Sequence, residues 1–227
     1  VGLPRTLEPE LLDLLAADDP RARASRRDLV RINFVMRQQA IMATLLRPLS
    51  APRRLADLGS GDGRFLLGVA RRMAPHWRGV TALIVDRHDL VSPQTRAGFA
   101  ALGWQCECMT GDVFELLPQL DAQIITANLF LHHLDEAGLA RLLILAAQKV
   151  GGFVACEPRR SPAALLASRM VFALACNAVT RHDAVASVHA GFAGRELSRL
   201  WPGAGWQLRE ELALPFTHVF AARRNAG

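Results

Sequence analysis

Apolar residues recur at steps of three and four between positions 7 and 48, through Leu11, Leu12 and Leu15 and then Leu29, Ile32, Val35, Met36, Ala40, Met42 and Leu45. That period predicts helix. Asp18, Asp19 and Pro20 divide the region into two helices, and Pro48 and Pro52 close it. From Arg54 onward short apolar runs alternate with helical stretches, the pattern of a parallel sheet covered on both faces. Strands are predicted at 55–58, 80–85, 104–109, 122–127 and 153–156. The third is half polar and suits a sheet edge. Helices are predicted over 65–73, after Ser92 with Pro93 in the first position, and from Asp135 to Gly151 and Gly152. A short helix over 194–200 precedes two terminal strands, 206–212 and 216–221, on either side of Pro215. The chain therefore reads as α/β, with 1–50 as an N-terminal helical cap and 51–227 as the sheet domain.

The composition agrees. With 227 residues, 51% hydrophobic and 21% charged, the chain is globular and neither disordered, collagen-like nor disulfide-stapled. Cys106, Cys108, Cys156 and Cys176 form no CxxC pair, so a reduced, cytoplasmic setting is expected. The N-terminus lacks the basic-then-apolar profile of a signal peptide. The longest apolar stretch, 163–179, is interrupted by Arg169 and Asn177 and is short of the roughly 20 residues that span a bilayer. The formal charge of +6 divides as +4 in residues 1–54 and +2 in the remainder. Five arginines between Arg21 and Arg31 make a basic helix, read as a solvated face.

The chemistry begins at Asp57-Leu-Gly59-Ser60-Gly61-Asp62-Gly63, where a strand runs through three glycines into a helix. Glycines there let the backbone turn tightly and approach a ligand at the helix N-terminus. A dinucleotide fingerprint would need a glycine at position 64, which is Arg64. The D-x-G-x-G-x-G pattern resembles motif I of the class I S-adenosylmethionine (SAM) methyltransferases. Three further segments follow in that family's order: Asp86-Arg87 ending the second strand, Gly111-Asp112-Val113 after the third, and Asn128-Leu129-Phe-Leu-His132-His133 after the fourth. The resemblance spans roughly residues 50–222 and implies a Rossmann-like, seven-stranded, mostly parallel sheet with an antiparallel C-terminal strand. It implies SAM as cofactor, S-adenosyl-L-homocysteine (SAH) as product, and Asp57, Gly59, Ser60, Gly61, Gly63, Asp86, Arg87, Gly111, Asp112, Val113, Asn128 and Leu129 as the cofactor site. In the family the acid after the second strand takes the ribose hydroxyls, and the Asp after the third takes the adenine amino group.

The fourth segment lacks the Asn/Asp-Pro-Pro-aromatic and Pro-Cys signatures of base-modifying enzymes, so a nucleic-acid substrate is not expected. Methyl transfer needs an acceptor held in line at about 3 Å with water excluded. A phenol, with pKa near 10, gains from a nearby base, and histidine suits that role. The candidates are His132, His133 and His182, the last beside Asp183. No metal is predicted, because no histidine pair has zinc-helix spacing.

Residues 159–193 are too long for an ordinary connection and are read as a helical lid insertion over the substrate. Its apolar helix suits a hydrophobic acceptor, and could equally be core or a homodimer contact. Glu157, Arg159, Met170 and Asp183 are the expected substrate-binding residues, and Arg31 or Asn33 a contact to the cofactor's carboxylate. The chain also resembles small bacterial methyltransferases of the ubiquinone-biosynthesis type. Ala155-Cys-Glu-Pro-Arg-Arg160 with Cys176-Asn-Ala-Val-Thr-Arg-His-Asp183 adds a likeness to those encoded beside type III polyketide synthases. The resemblance implies O-methylation of a small apolar or polyketide-derived phenolic acceptor. The alternatives are an RNA methyltransferase and a SAM-fold protein that binds without catalysis.

Overall fold

In the computed structural model, residues 3–225 are described. The elements are α1 (Pro20–Val35), α2 (Gln38–Leu46), β1 (Arg54–Leu58), α3 (Arg64–Met73), β2 (Thr81–Asp86), α4 (Pro93–Ala100), β3 (Gln105–Thr110), α5 (Val113–Leu116), β4 (Ile124–Asn128), α6 (Glu136–Lys149), β5 (Gly152–Pro158), α7 (Pro162–Arg169), α8 (Ala178–Ala190), α9 (Glu196–Leu200), β6 (Trp206–Ala213) and β7 (Thr217–Arg224). They build one seven-stranded sheet in the order β3-β2-β1-β4-β5-β7-β6. Strands β1 to β5 are parallel, and β7 runs antiparallel between β5 and β6.

The near-continuous apolar strands follow from burial on both faces. Successive residues of β2 divide between two cores: Leu83 and Val85 pack with α6 and α9, while Ala82 and Ile84 pack with α2, α3 and α4. Residues Phe153 to Cys156 of β5 alternate in the same way. The half-polar β3 is an edge, as its pattern predicts. The chain order reverses between β1 and β4, which opens a crevice at their carboxyl ends.

Three expectations change. Residues 7–18 are not a helix; apart from a 3-10 turn at Leu12–Leu14 and a turn before Pro20 they are irregular, and with residues 3–6 they form a strap along the crevice at the carboxyl ends of the strands. Its backbone bonds outward, Thr6 N to His189 O and Leu11 and Leu12 N to the Asp183 carboxylate, so it needs no internal ladder. The helical stretch after Pro20 breaks at Arg37, which adopts φ 55°, giving α1 and α2. The apolar stretch 163–179 is α7 and a 3-10 turn at Val171–Leu174, and Asn177 then caps α8 through Thr180 N, a helix that apolar periodicity does not announce.

The edge hairpin is tied to the body by one carboxylate. Glu210 of β6, its side chain wholly buried, accepts from Leu197 N (3.0 Å), Ser198 N (2.7 Å) and His218 Nε2 (2.8 Å). Bonds to a charged acceptor contribute more than neutral ones, and their loss leaves buried donors unmet. Glu210→Ala is expected to lower unfolding free energy by about 3 kcal/mol in a denaturant titration, with Glu210→Gln recovering part of it.

Candidate active site

The β1–α3 turn is built by its glycines. Gly59, Gly61 and Gly63 have φ of 65°, 56° and 73°, which side-chain-bearing residues rarely adopt. A Cβ on Gly59 would sit 2.3 Å from the Phe130 ring, whereas one on Gly61 would meet nothing within 4 Å. The turn thus packs on one side and presents open backbone on the other. Gly59 N and Ser60 N donate to Val85 O, and Gly61 N donates to Asp86 Oδ2 at 2.8 Å, so the acid ending β2 is locked to the turn. Along this turn lie a cavity of about 590 Å³ and a smaller one of about 130 Å³.

Most of the predicted cofactor residues surround these cavities. Gly59, Gly61, Asp86, Arg87, Gly111, Val113 and Leu129 line the larger, and Asp57, Ser60 and Asn128 reach the smaller. Asp112 caps α5 through Phe114 N at 2.8 Å and lies 3.6 Å from Arg87. Gly63 ends the turn as the N-cap of α3. Asp57 is a support rather than an open contact: it is buried, takes a 2.7 Å bond from Thr126 Oγ1, and burial raises its pKa to about 7. Asn33 joins the smaller cavity and accepts from Asn128 Nδ2 at 3.3 Å; Asn128 Oδ1 is buried with no hydrogen-bond partner in the described structure. A buried orphan acceptor facing such a cavity is what a ligand donor would satisfy. The residues present fit a cofactor with hydroxyl and amino donors, as SAM has. Arg31 instead pairs with Asp28.

The loop after β4 is held from beneath. Glu157, fully buried, accepts from Phe130 N (3.1 Å), Leu131 N (2.9 Å) and His132 N (3.4 Å), and lies 2.8 Å from His132 Nδ1. On the other edge of the same ring, His132 Nε2 lies 3.2 Å from Glu10 Oε1, which also accepts from Ser187 Oγ. Burial works against a charged His132, but the bonds and charges of Glu10 and Glu157 outweigh it and push its pKa up to about 9. Burial likewise opposes ionisation of Glu10, yet His132, His133 and Ser187 bring its pKa below the ordinary value. His133 Nδ1 lies 3.3 Å from Asp13. One ligand atom from each of Glu10, His132 and His133 lies within 4.8 Å of the others, a cluster able to hold a cation that no sequence spacing announces.

A third cavity, about 310 Å³ and mostly apolar, lies between α1, α7 and α8, walled by Ile32, Met36, Ala164, Met170 and Val171. Leu129 and Glu10 border both it and the large cavity. Met170 is therefore where a substrate contact was expected. The other expected substrate residues are not free to make one. Glu157 is consumed by the loop, and both Asp183 oxygens hold the strap through Leu11 N (2.8 Å) and Leu12 N (3.0 Å). Arg159 and His182 border none of these three cavities, and the His182 side chain is about half exposed, 3.1 Å from Asp183. Glu10, Asp13 and Ser187 escape sequence reading because they belong to the strap and to α8, which lack a distinctive motif.

No protein-family model and no curated protein matches this chain. Among solved structures it is similar to an O-methyltransferase family protein from Burkholderia thailandensis, with 19% identity, a TM-score of 0.60, and coverage of 93% of this chain and 62% of that one. It is similar to human N-acetylserotonin methyltransferase in complex with SAM, with 17% identity, TM-score 0.55, and coverage of 94% and 61%. It is also similar to the plantazolicin methyltransferase BpumL in complex with a monoazolic desmethylPZN analog and SAH, with 11% identity, TM-score 0.66, and coverage of 96% and 95%. The chain thus spans about three fifths of the first two and nearly all of the third. The shared property at these identities is the fold, a Rossmann-like sheet of the methyltransferase kind.

The Glu10–His132–Glu157 cluster predicts a pH dependence. A raised histidine pKa adds stability that is complete below its ordinary 6.5 and is lost as pH climbs through about 9. A lowered Glu10 pKa adds stability above its ordinary 4.5 that is lost as pH falls below it. The combined contribution is therefore greatest between these two ordinary values, and the melting temperature is expected to decline from about pH 7 to about pH 10. NMR titration of His132 checks the cause: a midpoint above 8 is expected, and one below 7 would contradict the clamp.

Proposed function

We propose that this chain is a SAM-dependent methyltransferase that methylates a small, largely apolar acceptor on oxygen. The observation that carries this reading is one of placement. The glycine turn, Asp86 and the unpartnered Asn128 Oδ1 line a cofactor-sized crevice at the switch point of the sheet, and that crevice shares Leu129 and Glu10 with an apolar cavity. When bound, SAM supplies a methyl group already made electrophilic by its sulfonium.

The residues then divide the work. Asp86, fixed by Gly61 N and His88 N, would take the ribose hydroxyls on its remaining lone pairs; Asp112 would take the adenine amino group while Val113 would pack on the ring; Asn128 Oδ1 would take the ammonium of the methionine part. Leu129, with φ 53°, stands where the donor and acceptor cavities meet and excludes water. Of the three histidines proposed for proton handling, His132 and His133 border the donor cavity. A ring whose pKa is about 9 is an imidazolium at neutral pH, so His132 acts as a charge partner.

An aromatic or polyketide-derived phenol in a cytoplasmic setting suits the apolar cavity. Among the described residues no helix is long and apolar enough to cross a membrane. Leu166 of α7 is turned outward, compatible with a homodimer contact. The basic helix gives little support to an RNA acceptor, because four of its five arginines are engaged locally: Arg21 with Asp19, Arg23 with Asp18 O, Arg26 with Ala17 O and Arg31 with Asp28. Calorimetry with SAH tests the cofactor assignment. Asp86→Ala is expected to weaken binding about 30-fold, the loss of charge-assisted bonds worth about 2 kcal/mol. Unchanged affinity would remove Asp86 from the site. Mass spectrometry of cell extract incubated with methyl-labelled SAM should show a labelled small molecule; SAM binding with no labelled product across a broad acceptor panel would instead support the non-catalytic reading.

A further inference from the structure

The strap brings to the junction of the two main cavities a residue that no motif announces. Two carboxylates border the apolar cavity, Glu10 and Asp183. Asp183 is committed, each oxygen accepting a backbone N–H of the strap. The hydroxyls on the same wall are committed too: Ser25 and Thr180 bond to each other and to Asn177 or Asp28, and Ser168 donates to Leu165 O. Glu10 differs. Both of its hydrogen bonds, from His132 Nε2 and Ser187 Oγ, fall on Oε1, and Oε2 accepts none among the described residues. Among the described residues no histidine borders the apolar cavity; His132 bonds Glu10 and lines the other cavity.

From this geometry we infer that Glu10 is the group that meets the methyl acceptor, its Oε2 taking first the hydrogen bond and then the proton of a hydroxyl whose apolar body fills the cavity between α1, α7 and α8. The inference rests on the methyl-transfer reading and adds to it the acceptor class: a hydrogen-bond donor on an apolar frame, uncharged because among the described residues the cavity offers no second carboxylate free of backbone bonds and no basic side chain. In the transfer the hydroxyl O–H bond breaks and its proton goes to Glu10 Oε2. The O–C bond forms as the C–S bond breaks, and that bond's electron pair stays on sulfur, which becomes a neutral thioether. One positive and one negative charge vanish together, so no net charge is left in a site that excludes water. His132 and Glu157 are positioning residues behind Glu10: the imidazolium holds the carboxylate ionised until the hydroxyl arrives.

A probe pair tests the assignment without turnover. With SAH present, 2-naphthol and 2-methoxynaphthalene share a ring body and differ in the hydroxyl donor, and both are followed by fluorescence titration. The wild-type protein is expected to prefer 2-naphthol by about tenfold, the worth of one bond to a charged acceptor. Glu10→Ala should abolish the preference and Glu10→Gln keep part of it. Equal binding of the two probes by wild type, binding of neither, or a preference that survives Glu10→Ala would overturn the inference. A wild-type protein that fails to bind SAH would overturn the cofactor reading separately, because the probe preference is then still measurable without SAH. In single turnover with 2-naphthol and SAM, methylation should fall at least about 100-fold in Glu10→Ala, within the range of losing a positioned proton acceptor; an unchanged rate would count equally against it.

Discussion

A buried carboxylate at the end of a sheet strand is tolerated only where donors wait for it, because transferring an unpaired charge out of water costs far more than one hydrogen bond returns. Glu157 is such a group. Three consecutive amides of the loop after β4 and one imidazole nitrogen converge on it. These bonds hold the loop against the end of β5 and leave Leu129 in a left-handed conformation between the two main cavities. They also fix the His132 ring, whose far edge then fixes Glu10. Loop shape, ring orientation and strap position therefore descend from one buried charge.

The strap is held by polar bonds rather than by its side chains' burial. Arg5 donates to Ala190 O and Leu134 O, Arg160 to Leu3 O, and Asp183 receives Leu11 and Leu12 N, while Leu11 and Leu14 face solvent. Such a segment places Glu10 by directional contacts along its length, and its register cannot slide without breaking several of them together. Apolar contacts alone, which are non-directional, would not set a carboxylate between two cavities with that precision.

This also explains what was legible in the sequence. The five parallel strands were readable because burial on both faces forces unbroken apolar runs, and the glycine turn because no other residue tolerates three left-handed conformations in five positions. Asp86, Asp112, Asn128 and Leu129 followed from their places at strand ends. The strap departs from the helix that the spacing of Leu11, Leu12 and Leu15 predicts, because the tertiary partners His189 and Asp183 offer its backbone bonds that a helix would compete with. Glu157 and Asp183 looked like substrate contacts because sequence shows a charge at the binding end of the sheet but not the amides already bound to it. Glu10 was invisible for the converse reason: its partners lie more than 120 residues away.

The electrostatics separate what the net charge conflates. The chain carries +6, yet the walls of the donor crevice bring together Glu8, Glu10, Asp13, Asp62 and Asp86, with Asp57 buried beneath and its pKa raised to about 7. Of the cations there, Arg64 is paired with Asp62, His132 with Glu10, Arg26 donates to Ala17 O and keeps its charge, and Arg87 stands near Asp112. A phosphate-bearing dinucleotide would meet this acidic lining as a repelled anion, since like charges in a poorly hydrated cleft are costly. A sulfonium meets it as an attracted cation. The surplus of carboxylates over arginines along the crevice thus favours the same ligand class as the glycine spacing.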